Sequence, residues 1–426
     1  MDKPLKRAVR RRHKPLPPEM LYQHCDPALL TFESTIELEG LAEIIGQARA
    51  VEAIQFGVGI RRDGYNIFVL GHPGSGRYTL SRKELESRAA TEPAPADWCY
   101  LNNFEQTNKP KAIKLPAGRG TQFQKHMRQF VEEFGSVIPV VFEGEEYRTR
   151  LEAMNDEFKH HQEKLFEDLG EEAKKQGVAL IQTRKGFALA PYNDGEIVTP
   201  EEFDKLPEEE RQHYNEMIEQ FDEKLRKIVH QVPRMVREHQ TKIREFNRET
   251  IALAAGHLIE ELHSHYQDLP EILDFLDTVR ADIIESASEL REQRSADELT
   301  GVVVATPLQR YQVNLLVDHS ESKGAPVVYE NHPTYQNLLG RIEHLAHMGM
   351  LVTNFSLIKS GALHRANGGY LILDAGKLLI QPYAWEGLKR AMLSREIRIE
   401  SLGEIFGLVS TLSLQPQPIP LDLKVV

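Results

Sequence analysis

Between residues 145 and 177 the apolar positions Leu151, Met154, Phe158, Leu165 and Leu169 fall three and four apart, with His161 completing the seam, and most other positions are charged. Such spacing puts one stripe on an α-helix and is the repeat of a coiled coil. The same pattern returns through Tyr214, Ile218, Phe221, Leu225, Ile228, Val232, Met235, His239, Ile243 and Phe246, so a second long helix is expected to run back along the first. Pro233 lies within that second run; without an N–H it predicts a kink or a break. Between the helices, 178–181, 186–190 and the Asn193-Asp194-Gly195 turn predict a small β-hairpin at a tip, with helix reopening at Thr199-Pro200-Glu201-Glu202. A third helix is predicted over 271–291, after Pro270.

On both sides of this arm the pattern changes to short apolar runs. Residues 65–70 (YNIFVL) read as a strand that enters the glycine cluster 71–76, and 77–88 reads as helix. A strand is expected at 98–102 and a helix over 121–134, carrying Phe123, Met127, Phe130, Val131 and Phe134. Beyond Tyr311, residues 313–317 and 327–329 are strand-like, and 368–374 (GGYLILD) is an apolar strand closing on Asp374. Upstream, Pro15-Leu16-Pro17-Pro18 ends a basic tail, and 43–60 has apolar residues at helical spacing. The expected fold class is α/β: a P-loop core with a parallel sheet, interrupted by a long helical coiled-coil insertion. Its parts are a basic flexible tail (1–24), a first part of the core (25–144), the arm (145–300, hairpin near 178–198) and a second part (301–426). The final LDLKVV reads as a core strand, which suggests a fragment of a longer protein.

Composition narrows the function classes. A length of 426 residues allows two or three folded units, and 41% hydrophobic with 27% charged residues is a globular, water-exposed balance. No apolar run approaches the roughly 18 residues of a membrane helix and no secretion signal is present, so a cytoplasmic protein is expected. Cys25 and Cys99, without CxxC spacing, argue against a disulfide framework or a cysteine zinc site. The net charge is −12, yet residues 1–14 hold seven basic side chains (Lys3, Lys6, Arg7, Arg10, Arg11, Arg12, Lys14) and one acid. The remaining body is therefore at −18. Nucleic acid is an unfavoured partner for such a body, and the tail reads as a solvated end.

The candidate chemistry lies in two segments. Residues 71–79 (GHPGSGRYT) nearly match the phosphate loop GxxxxGK[ST], in which backbone donors cradle phosphates, a lysine reaches the terminal ones and a hydroxyl holds magnesium. Arg77 stands in place of the lysine, keeping the charge on a longer planar group, and Tyr78 in place of the hydroxyl. Thr79 comes one residue late, about 100° around the helix. The partner segment ends the apolar strand on Asp374, whose carboxylate would support magnesium, but Ala375 stands where an acid would polarise water. Gly71, Gly74, Ser75, Gly76, Arg77, Tyr78, Thr79 and Asp374 are thus candidate ligands of ATP or ADP, with Asp374 the candidate magnesium ligand. Weak or absent hydrolysis is expected. The groups His257, Glu260, Glu261, His263, His265 and Glu343, His344, His347 lack an established metal spacing, although the second set could share a helix face.

The segments IGQARAVEAI (45–54), GYNIFVLGHPGSGR (64–77) and SGALHRANGGYLILDA (360–375) resemble the AAA+ region of Lon-related proteases, in particular the bacterial Lon-like branch with a degenerate ATPase module and a helical insertion. The resemblance covers roughly 25–140 and 300–426. It implies an AAA+-like core and a ring-forming, hexameric protease that cleaves unfolded or damaged proteins with a Ser-Lys dyad in a C-terminal domain. No segment here resembles the family's PKDGPSAG-like nucleophile region, so no catalytic residue is assigned, and the chain is expected to serve as ring scaffold and substrate gate. Two other readings stand beside it: a noncatalytic coiled-coil interaction protein on a degenerate P-loop fold, and an SMC-like ATPase, whose LSGG signature Ser360-Gly361-Ala362-Leu363 matches poorly.

Overall fold

A computed structural model describes residues 15–22, 24–38, 47–60, 62, 64–183, 186–193, 196–291, 307–347, 350–400 and 414–426. The basic residues of the tail, the start of the helix expected from 43 and the Asp194-Gly195 turn lie outside the described residues. Two compact units are present, 1–59 and 60–426.

Among its described residues the first unit has three single 3-10 turns, Pro18–Met20, Pro27–Leu29 and Thr35–Glu37, and one helix, α1 (Ala48–Gly59). Local chemistry fixes the turns. Prolines open two of them, Asp26 accepts from the Ala28 N–H, and Ser34 with Glu37 forms a reciprocal capping box. No residue of the three turns is buried.

The second unit opens with α2 (Arg77–Ala89), then β1 (Asp97–Leu101), β2 (Lys111–Leu115) and α3 (Arg119–Phe142). The arm follows: α4 (Glu145–Lys175), the hairpin β3 (Val178–Thr183) and β4 (Gly186–Asn193), a short turn of helix at Pro200–Phe203, and α5 (Glu208–His265). The chain continues through α6 (Pro270–Glu285), β5 (Asn314–Val317), β6 (Val327–Glu330), β7 (Tyr370–Leu373), α7 (Ala375–Ile380), α8 (Ala384–Ser394) and β8 (Lys424–Val425).

Arm and hairpin form where the periodicity places them. Leu169, Ala173, Val178, Phe221 and Leu225 are buried together at the tip, and Phe166 stacks on Phe187 at 4.2 Å. Farther down, His239 stacks on Phe158 at 4.4 Å and its Nε2 meets Asn155 Oδ1 at 3.0 Å, so this histidine does belong to the seam. His161 does not: it is exposed, and the neighbouring Gln162 is half-buried. Of the kink or break expected at Pro233, the break does not occur, because α5 runs unbroken through it. A proline there removes a single donor, and Val229, whose carbonyl loses its partner, is exposed enough for water to replace it.

At the arm's base, α3, α5 and α6 close the largest core. Phe123, Met127, Phe130 and Phe134 meet Ile251, Ile259, Leu276, Val279 and Ile283, and Cys99, Leu101, Ile113 and Leu115 join from the strands. β1 is central in an antiparallel sheet, β2-β1-β5, with Cys99 opposite both Ile113 and Leu315. Asp97 pins this corner. Its buried carboxylate accepts from the Gly120 N–H at 2.9 Å and the His319 N–H at 2.8 Å, tying α3 and the end of β5 to β1.

A second sheet is parallel, in the order β8-β7-β6, with Leu371 opposite Val328 and Val425. The strand expected at 65–70 is not formed. These residues carry no regular structure, with Phe68 76% and Leu70 84% exposed, and they touch the sheet through the Ile67 N–H to the Val425 carbonyl at 3.0 Å. The neighbouring bond is made by the Asn66 side chain, which accepts from the Val425 N–H. β8 offers only two residues to pair with, so no ladder develops along this edge. Among the described residues no helix is long and apolar enough to cross a membrane.

Candidate nucleotide site

The glycine loop leads into α2, a helix of 13 residues whose N-cap is Gly76, without a side-chain cap. Gly74 and Gly76 have φ near +80°, and an added Cβ on either would meet nothing within 4 Å. Backbone conformation, not crowding, therefore requires glycine at both positions. The first-turn N–H groups of α2 are left for a ligand, and such a terminus attracts anions. Ser75 contributes differently: its N–H and its Oγ both donate to the His72 carbonyl, at 3.2 and 2.8 Å, so it closes the turn. At Gly71 an added Cβ would come within 3.0 Å of Ser75 Oγ and 3.2 Å of Arg77 Cδ, which places the Arg77 stem across the loop.

Tyr78 and Thr79 are exposed. The ring of Tyr78 lies 4.6 Å from that of Tyr329 on β6, and its hydroxyl accepts from Arg82 Nη1 at 3.4 Å. Tyr78 thus holds α2 to the parallel sheet. Tyr329 is paired with Ile372, two residues before Asp374, and this contact links the glycine-loop helix to the strand that carries the candidate carboxylate.

Asp374 is exposed and caps α7: its Oδ1 accepts from the Lys377 N–H at 3.1 Å. Lys377 Nζ in turn donates to Asn331 Oδ1, which also accepts from the Tyr329 hydroxyl at 3.3 Å. Beside it Glu330 pairs with Arg365 at 3.2 Å. The end of the parallel sheet is thereby occupied by a protein network of Tyr329, Asn331 and Lys377. An uncapped helix start, two left-handed glycines and Arg77 suit a phosphate group. Magnesium is served less well, because Tyr78 is turned onto Tyr329 and one oxygen of Asp374 is already engaged. Among the described residues no three His, Cys, Asp or Glu side chains group as metal ligands.

The histidine groups have other partners. His263 Nε2 lies 3.2 Å from Asp277, His265 Nδ1 meets the Glu261 carbonyl at 2.8 Å, and His257 and Glu260 are exposed. Glu343, His344 and His347 do not share a helix face: Leu345–His347 is a strand paired with Met350–Val352, and Glu343 receives Arg341 at 2.6 Å. Sequence reasoning missed the hydrogen bonds of three buried groups. Asp97 is one. Tyr147 is another, donating to Asn247 at 2.6 Å and accepting from Arg291 at 3.1 Å where the arm meets its base. The third is His364, fully enclosed, whose pKa burial pushes down to about 3 and whose Nδ1 accepts from the Gly361 N–H at 3.2 Å. Asp97 opens the apolar run Trp98–Leu101, and that lone carboxylate was the available signal for it.

Residues 323–426 match the family model of a LonB-like AAA domain, and residues 97–130 match that of the Lon-like LonC helical domain. No curated protein matches the chain. The first match contains β6, β7, β8 and Asp374; the second contains β1, β2 and the first half of α3, on the approach to the arm. No protease domain is identified, and the two matches support placing this chain in the Lon-related protein family.

Proposed function

We propose that the chain is the N-terminal AAA+-like module of a Lon-related serine protease, acting in the cytoplasm as ring scaffold and substrate-recognition gate. In this reading the core runs in two parts, 25–144 and 301–426, around the arm, and the arm contacts unfolded or damaged proteins. ATP or ADP is held by Gly71, Gly74, Gly76, Arg77 and the first turn of α2, with Thr79 at its margin and Asp374 the candidate magnesium ligand. Hydrolysis is weak or absent. One observation carries this: Tyr78 is packed against Tyr329 at the position where a magnesium hydroxyl would stand, while the glycine loop itself stays open. Ala375 agrees with it, since a methyl group cannot orient water.

Titration with a fluorescent ATP analogue, with and without magnesium, tests the reading. Saturable binding that is nearly independent of magnesium, and weaker by about tenfold or more in Arg77→Ala, is expected. Phosphate release should stay at the background rate. Magnesium-dependent turnover would sink the proposal, and no binding at millimolar nucleotide would make the loop purely structural.

A further inference from the structure

At the base of the arm, one side of α3 faces one side of α5 across an open cleft of about 130 Å³. Positions 126, 129 and 133 of α3 and 258, 261 and 265 of α5 line it, each set spaced i, i+3, i+7 and so on one side of its helix. His126, Gln129 and Glu133 thereby meet Glu261 and His265. The lining holds two carboxylates and no lysine or arginine. Arg119 is committed nearby: its Nη2 donates to Asp268 Oδ1 at 2.9 Å and to the His265 carbonyl at 3.2 Å. Glu133, Glu261 and His265 are exposed and His126 is half-buried, so the cleft is open to an ion from solvent.

The two imidazoles are arranged as a ligand pair. Their ring centroids lie 5.2 Å apart with the planes at 52°. Two imidazoles that share one tetrahedral ion at a zinc–nitrogen length of about 2 Å hold their centroids about 5 Å apart. Each ring also has its Nδ1 engaged. That of His265 lies 2.8 Å from the Glu261 carbonyl, which can only accept, so the neutral ring carries its proton on Nδ1 and its lone pair on Nε2. That of His126 lies 2.9 Å from the hydroxyl of Tyr266, a residue anchored in the core. Neither Nε2 has a hydrogen-bond partner among the described residues. One nitrogen held by an oxygen and the other left free is the arrangement that orients a ligating histidine and fixes its tautomer.

We infer that His126 Nε2 and His265 Nε2 together bind one divalent transition ion of the zinc class, bridging α3 and α5. Imidazole nitrogen selects such ions over magnesium, which keeps this site apart from the candidate carboxylate Asp374. Two protein ligands leave the remaining positions to water, while Glu133 and Glu261 supply negative charge around the ion. The ion ties the returning helix of the arm to the helix that leads into it. Because the paired rings exist only in the folded chain, binding stabilises the fold. The inference does not depend on the nucleotide reading.

Zinc ion alone, titrated into the full chain near neutral pH and followed by equilibrium dialysis and by thermal melting, provides the test. Wild type is expected to bind one ion that His126→Ala and His265→Ala each bind at least about tenfold more weakly, and its melting temperature should rise with zinc while theirs does not. Tyr266→Phe keeps the buried ring and removes only the oxygen beside His126 Nδ1, and should weaken binding by about tenfold. His257→Ala, at an exposed histidine of α5 outside the cleft, should bind zinc as wild type does. Zinc affinity and melting shift unchanged in either cleft variant would overturn the bridging site. A loss equally large in His257→Ala would overturn it too, by showing scattered binding to surface histidines. If His126→Ala does not fold, the exposed His265→Ala and the Tyr266→Phe variant decide between these outcomes.

Discussion

The base of the arm and the glycine-loop end of the parallel sheet differ in what their residues are committed to. At the base, α3, α5 and α6 interlock Phe123, Phe134, Ile251, Ile259 and Leu276, each at most 1% exposed, and the hydroxyls of Tyr147, Tyr266 and Tyr311 there bond to Asn247, His126 and Asp282. At the loop, Gly71 to Gly76 are exposed, 65–70 forms no strand and makes one backbone bond to β8, and the end of the sheet is occupied by Tyr329, Asn331 and Lys377. The difference teaches that burial, not the nucleotide motif, holds this module together. A core at the base of a long arm keeps the arm's direction fixed. An open loop can bind or release an anion without disturbing it.

The largest expected effect is a break in the base. Phe123→Ala removes a fully buried ring that touches Tyr266 and Phe275 edge-on, and should cost about 3 to 5 kcal/mol. Chemical denaturation of the full chain reads this loss. If the variant unfolds at the wild-type midpoint, the base is not the stabilising centre.

A smaller effect separates buried from open chemistry by pH. The depressed pKa of His364, about 3, means that the unfolded chain takes up a proton as pH falls through 6.5 while the folded chain does not. Stability is therefore lost on acidification between pH 6.5 and about 3, by about 2 kcal/mol at pH 5. In His364→Gln, which keeps an acceptor for the Gly361 N–H, melting temperature should depend less on pH across that window. An unchanged slope would show that the group is not buried as described.

The smallest effect is expected at the loop. Tyr78→Ala removes a half-exposed ring and its contact with Tyr329, and should change stability by less than about 1 kcal/mol. A loss comparable to that of Phe123→Ala, measured in the same denaturation series, would abolish the contrast between the two regions.

Periodicity carried most of the arm. The repeats Leu151 to Leu169 and Tyr214 to Phe246 determine two helices because only one stripe of each is apolar, and the turn chemistry between them determines the hairpin. It also misled at one position. His161 fits the spacing yet stays exposed, since a seam that Leu165 and Leu169 already occupy does not require it. Pro233 is tolerated because the packing of α5 outweighs one lost hydrogen bond. After the glycine cluster α2 starts at Arg77, where the sequence places it, since a glycine turn and a helix start are local properties. It could not reveal that Tyr78 lies on Tyr329, a residue 251 positions away.

What the sequence determined by itself is therefore local: helix stripes, glycine turns, the substitutions Arg77, Tyr78 and Ala375, and the uneven charge. Tertiary structure decided which strands pair, why 65–70 forms no ladder beside a two-residue β8, and where Asp374 spends its oxygen. It also decided that Asp97 and His364 are buried. The physical reason is range. Dihedral preference and capping act within a few residues, whereas burial and strand register depend on groups brought together from distant parts of the chain.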